Sequence, residues 1–264
     1  MSRSRPGIGA PSPLLPFKPA LSEFSLSNLQ SPSVTPARIA ELLVPFLGEY
    51  EQPEASALFA NISTYIDILM RWNSRINLTA IREPEQIVTR HFGESLFLAR
   101  KLFVGTTPIG GPAGRSPATV VASALADLGS GAGFPGVPIK LWAPSISLTL
   151  IESNHKKAAF LGEIARSLRL TDVNIQNTRA ETLPPAAFDV VTLRAVERFD
   201  AALPIAARLL KPQGRLALLI GSAQVPHAHS ILPDHDFSDP LPIPLSLSRV
   251  LLMGRPGSRQ EPKQ

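Results

Sequence analysis

The stretch DLGSGAGFPG, Asp127 to Gly136, sets glycines at 129, 131, 133 and 136 behind a single carboxylate. Read from Gly131 the spacing is G-x-G-x-x-G, which suits a dinucleotide; read from Asp127 it is D-x-G-x-G-x-G, which suits S-adenosylmethionine. Glycines let backbone approach a ligand and adopt angles other residues avoid, but a lone G-x-G-x-x-G does not choose the ligand. The neighbouring side chains do. Asp127 would repel a pyrophosphate and attract the free amino group of S-adenosylmethionine. Pro135 and Pro138 withhold N–H groups that a pyrophosphate seeks at a helix start. Glu152 follows Gly131 by 21 residues and can accept two ribose hydroxyls, which suits either cofactor. Asp127 and the two prolines therefore favour S-adenosylmethionine, with Asp127 and Glu152 on the cofactor. On this reading the spacing from Gly131 is a coincidence.

Such a loop needs a strand to deliver it. Apolar runs at 119–128, 146–151, 172–176, 188–193 and 215–220 alternate with helical stretches at 137–142, 154–168 and 199–210. This argues for the α/β class, an open and mostly parallel sheet with helices on both faces. The run from Ser248 to Met253 closes the sheet at one edge. Ligands of such sheets sit at the carboxyl ends of the strands, where the glycine loop falls. Upstream, Thr35 and Pro36 form an N-cap and first helical position for a helix over 37–47. A second helix over 54–76 carries Leu58, Ile62, Ile66, Leu69 and Trp72 on one stripe, and a third runs from Pro84 to Phe103. The expected organisation is a disordered extension (1–34), a helical N-terminal region (35–104), a flexible joint (105–118), the cofactor domain (119–255) and a disordered tail (256–264).

The chain has 264 residues, no cysteine and a net charge of +5. Disulfides, thiol nucleophiles and thiolate metal sites are excluded, which fits a cytoplasmic location. No apolar run approaches the roughly 18 residues of a membrane span. A sequence pI near 9.9 suits a polyanionic partner.

Several stretches beyond the loop resemble one family: RWNSRINLTAIREPEQIVTRHFGES (71–95), DLGSGAGFPGVPIKL (127–141), ESNHKKAAFL (152–161), TRAETL (178–183) and TLRAVE (192–197). They resemble the RsmG family of bacterial 16S ribosomal RNA guanine-N7 methyltransferases, also called glucose-inhibited division protein B (GidB). The resemblance covers about residues 37–221. It implies a Rossmann-like S-adenosylmethionine-dependent methyltransferase fold with a small helical N-terminal region. It implies methylation of N7 of guanine 527 in the 530 loop, on 16S rRNA or the 30S particle, by a cytoplasmic monomer that needs no metal or membrane. The alternative is a methyltransferase of the same kind acting on another substrate. The family's binding positions fall on Gly129, Phe134, Ala180, Glu181 and Arg194. This sequence departs from its relatives at Glu94, where they tend to have aspartate, at Ile220, where they usually have lysine, and in its final strand, SRVLLMGRP, which is less basic.

Guanine N7 is a lone pair without a proton, so its methylation requires no general base, and no catalytic acid or base is expected. Proximity and orientation carry such a reaction. Each candidate also has a structural reading. Phe134 could be core, Glu181 and Arg194 could pair with each other, and Trp72, Asn73 and Asn77 could lock a helix-to-loop junction. His91, Glu94 and Ser95 share a helical face and read as a helix-surface hydrogen bond rather than a catalytic trio. Lys140, Lys156, Lys157, Arg166 and Arg169, with Arg75, Arg82, Arg90, Arg100 and Lys101, suit a phosphate-contacting surface.

Overall fold

Thr35 caps the first helix as its sequence suggests: its hydroxyl accepts the Arg38 N–H at 3.3 Å, and Pro36 takes the first helical position. The computed structural model describes residues 33–48, 55–103, 123–194 and 198–257. The expected extension, joint and tail lie outside these residues, apart from their edges at 33–34 and 256–257.

Helix α1 (Pro36–Leu47) precedes α2 (Ala55–Asn73). The latter buries Leu58, Ile62, Tyr65, Ile66 and Leu69. It stops three residues before the expected Ile76 because Asn73 turns back on the chain that follows. The Asn73 Oδ1 accepts the Leu78 and Thr79 N–H groups at 2.9 and 3.1 Å, and its Nδ2 donates to the Thr79 carbonyl at 3.0 Å. A short polar side chain that captures backbone in this way competes with continued helix. The third helical run is α3 (Pro84–Ile87), a π-helical stretch (Val88–Gly93) and α4 (Glu94–Leu102).

The remainder alternates: β1 (Ala124–Leu128), α5 (Gly136–Trp142), β2 (Ser147–Ile151), α6 (His155–Ser167), β3 (Val173–Gln176), β4 (Phe188–Arg194), α7 (Phe199–Leu209) and β5 (Leu210–Gly221). Beyond these lie α8 (Val225–Ile231), β6 (His235–Phe237), β7 (Leu241–Pro242) and β8 (Arg249–Pro256). The sheet order is β3-β2-β1-β4-β5-β8-β6, with β7 against β8. β3 through β5 are parallel, and β8 runs antiparallel to β5 with Gly221 opposite Arg249. The chain winds outward from β1 to β3, then returns to place β4 on the other side of β1, so the switch point lies between β1 and β4. Strand β5 starts five residues before its expected position, and the proline-rich 233–244 stretch contributes β6 and β7 at the edge. Edge strands tolerate the missing N–H of proline.

Alternate residues of each strand feed two apolar cores. Leu125, Leu219 and Leu251 join the core shared with α1, α2, α4, α5 and α6, while Ala126, Leu128 and Leu218 join that under α7 and α8. The N-terminal helices thus pack directly on one face of the sheet.

Candidate active site

The loop after β1 is shaped by contacts on both of its sides. Gly129, Gly131 and Gly133 all have positive φ. At Gly133 (φ 83°) an added Cβ would lie 2.5 Å from the Tyr65 hydroxyl, which donates to the Ala132 carbonyl. At Gly136 a Cβ would meet the Asp127 carboxylate at 2.8 Å. The second and third glycines of the spacing from Gly131 answer to a tyrosine from α2 and to the acid of β1.

Asp127 is 1% exposed. Its Oδ2 accepts the Gly136 N–H at 3.0 Å and its Oδ1 the Thr192 hydroxyl at 2.9 Å. Burial raises its pKa to about 6 against the pull of those two hydrogen bonds. The carboxylate expected to meet the cofactor's amino group here faces inward, tying the start of α5 to β4. Glu152, also buried, bridges the loop and the next helix: Oε2 accepts the Gly131 N–H at 2.9 Å and Oε1 the Asn154 N–H at 2.7 Å.

A cleft of about 310 Å³ opens at the carboxyl ends of β1 and β2 and is lined by Leu128, Gly129, Ile151, Ser153, Thr178, Arg179, Ala180, Glu181, Arg198, Ala202 and Ile205. That volume is at the low end of ligand pockets, which hold roughly 300–1,000 Å³. Gly129, Ala180 and Glu181 meet there; Asp127, Phe134, Glu152 and Arg194 lie outside its lining. The turn carrying Ala180 and Glu181 is held by Arg208, whose guanidinium donates to the carbonyls of Ala180, Glu181 and Leu183 at 3.1, 3.1 and 2.9 Å. Sequence reasoning missed Arg208 and Arg198; Ser153 was within the ESNHKKAAFL stretch, and Thr178 and Arg179 were within the TRAETL stretch that pointed to this wall.

Phe134 and Arg194 belong to a second cluster, on the N-terminal helices' side of the sheet. The Phe134 ring stacks on His91 (centroids 4.7 Å apart) and Tyr65 (5.4 Å), with the Arg194 guanidinium 5.9 Å from its centroid. Arg194 pairs with Glu94, and Glu181 is not its partner: Glu94 Oε2 lies 3.2 Å from Arg194 Nη2 and 3.0 Å from Arg249 Nε. Arg90 Nε stands 3.4 Å from Oε1, an ion-pair distance without hydrogen-bond geometry. Three arginines thus converge on one buried carboxylate. His91, Glu94 and Ser95 are 9%, 1% and 0% exposed, which overturns their reading as a helix-surface group. Helical spacing named their common face, and that face packs against the sheet. Burial, reinforced by Arg194, Arg90 and Arg249, lowers the His91 pKa to about 3.

Lys140 also departs from expectation. It is 2% exposed and its ammonium donates to the Pro144 and Ile146 carbonyls at 2.7 and 2.6 Å, so it closes the end of α5 and presents no charge to a partner. Ile220 lies in the apolar core. A cation reaches this end of β5 from the adjacent strand instead, as Arg249 donates to the Leu219 carbonyl at 3.2 Å. Trp72 and Asn73 lock elements together: the indole donates to Glu163 of α6 at 2.8 Å, and Asn73 caps the turn described above. Asn77 is exposed, its Oδ1 3.4 Å from Arg82.

A mostly parallel sheet reversing beside β1, a glycine loop at that strand's end and a cleft walled by the following strand ends define a Rossmann-like fold, and the family match makes its class that of the S-adenosylmethionine-dependent methyltransferases. Residues 59–230 match the GidB model, described as rRNA small subunit methyltransferase G, and the chain belongs to that family. The ribosomal RNA small subunit methyltransferase G of Xylella fastidiosa (strain 9a5c) is 39% identical over 173 residues, 65% of this chain and 72% of that protein. The protein of that name from Xanthomonas euvesicatoria pv. vesicatoria (strain 85-10) is 37% identical over 167 residues, 63% and 70% of the two chains. Among solved structures, a ribosomal protein L11 methylase from Lactobacillus delbrueckii subsp. bulgaricus aligns with a TM-score of 0.49 and 17% identity, covering 62% of this chain and 79% of that one.

Proposed function

We propose that this rRNA methyltransferase modifies N7 of guanine 527 in the 530 loop of 16S rRNA, presented on the 30S particle or as free RNA. The observation that carries the reading is the cleft at the ends of β1 and β2, with Gly129 on its floor and Ala180 and Glu181 on its wall. S-adenosylmethionine, when bound, supplies an electrophilic methyl on sulfur. Its adenosine fits the side formed by Ala180 and Glu181, with the adenine edge read by backbone and carboxylate. Glu152 uses one acceptor position for the loop, on Oε2, and one for Asn154, on Oε1, and a carboxylate has about four in all, so two remain for ribose hydroxyls. Asp127 acts at one remove, by fixing the course of the loop. Phe134 and Arg194 stand at the switch point, on the methyl-transfer side. There the protein's task is to hold N7 in line with the methyl and exclude water. A base in an rRNA loop can be unstacked for this purpose.

The test is methyl transfer from labelled S-adenosylmethionine to 30S particles, naked 16S rRNA and small molecules, with the modified guanine mapped by cleavage at N7-methylguanine. Label at one guanine of the 530 loop is the expected result. Label confined to small molecules, or to another rRNA position, overturns the reading.

A further inference from the structure

Behind Arg194 a continuous series of hydrogen bonds leads back to the turn after α2. Asn73 pins the backbone of Thr79 from both sides. The Thr79 hydroxyl oxygen accepts the Ile81 N–H at 3.1 Å and lies 2.8 Å from His91 Nε2. The other ring nitrogen, Nδ1, is 2.9 Å from Arg194 Nη2. A guanidinium only donates, so Nδ1 must accept. The single proton of the neutral ring is then on Nε2 and points at Thr79. The low His91 pKa agrees with a neutral ring. The π-helical turn adds a second acceptor, for the Arg90 carbonyl takes the same Arg194 nitrogen at 2.8 Å. Widened turns of this kind release carbonyls from the regular helical ladder.

Glu94 Oε2 accepts from both Nε and Nη2 of Arg194, at 3.3 and 3.2 Å, and also from Arg249 Nε at 3.0 Å. Charge brings the guanidinium in, and the ring nitrogen, with the Arg90 carbonyl, holds the shorter contacts that set the direction of Nη2. We propose that Thr79 and His91 are positioning residues: His91, held as its Nε2–H tautomer between Thr79 and Arg194, aims the Arg194 guanidinium over Phe134 at the carboxyl end of β4. This rests on the reading above that Arg194 stands on the methyl-transfer side. It also gives the W-N-x-x-x-N-L-T element a task, since its asparagine sets its threonine and its threonine sets the histidine.

Nitrogen NMR of the full-length protein carrying 15N-labelled histidine reads the tautomer without substrate. One resonance pair showing protonated Nε2 and bare Nδ1 at pH 7 is expected for His91, assigned by its loss in His91→Gln. Protonated Nδ1, or a charged ring, overturns the proposal. In kinetics, Thr79→Val removes the hydroxyl at nearly constant volume. It should lower kcat roughly five- to tenfold, the effect of about one hydrogen bond, with little change in KM for either substrate. Thr79→Ser should restore the rate. Equal rates for the valine and serine variants also overturn it. If the wild-type protein modifies no ribosomal RNA, the proposed function falls, and the nitrogen spectrum still decides the relay.

Discussion

At the scale of single residues, Asp127 has its clearest consequence in pH dependence. Its folded pKa is about 6, above the ordinary 3.8, chiefly because burial disfavours the charged form. A raised carboxyl binds its proton more tightly when folded, so its contribution to stability is complete below the unfolded value. That contribution fades as pH rises through the folded one. Asp127 should therefore make the protein less stable on going from about pH 4 to pH 6, by about 3 kcal/mol at most. Asp127→Asn keeps the shape, and its amide can accept from Gly136 while donating to Thr192. Denaturant titrations of both proteins across that window check this: the wild type should lose stability relative to the variant. A difference that stays constant from pH 4 to 7 would refute it.

Elements decide what such residues can reach, and α2 shows how. Its apolar stripe was legible in the sequence, because spacing alone identifies a buried helix face. That Tyr65 on this face grips the loop 67 residues away was not legible, since the stripe names a face and not its neighbour. The π-helical turn and the burial of His91, Glu94 and Ser95 escaped for the same reason. Lys140 escaped because a lysine after a glycine loop normally points to solvent, and only the fold shows two carbonyls waiting inside. By contrast, Gly129, Ala180 and Glu181 were legible as motif positions, and the strand ends gather them at one cleft. The grip of α2 on the loop is testable. Tyr65→Phe keeps the ring stack on Phe134 and removes only the hydroxyl that holds Ala132. It should cost about 1–2 kcal/mol of stability and weaken S-adenosylmethionine binding several-fold by calorimetry. Unchanged affinity would mean that the loop holds its shape without α2.

For the whole molecule, the positive charge matters through where it is free to act. A net charge of +5 draws the protein to RNA in general, but only exposed cations can displace counterions from phosphates. Arg75, Arg82, Arg90, Arg100 and Lys101 are exposed, whereas Lys140 is spent inside the fold. These two groups should separate in the salt dependence of binding. For single-stranded RNA each phosphate contact contributes about 0.7 to the slope of log affinity against log salt. Arg75→Gln should lower that slope by about this amount and leave the melting temperature nearly unchanged. Lys140→Met should do the reverse, lowering the melting temperature while the slope stays that of the wild type. Filter binding of a 530-loop RNA across a salt series, beside thermal melts, measures both. A reduced slope for Lys140→Met would mean that the buried ammonium reaches RNA in the complex, which would require the end of α5 to open.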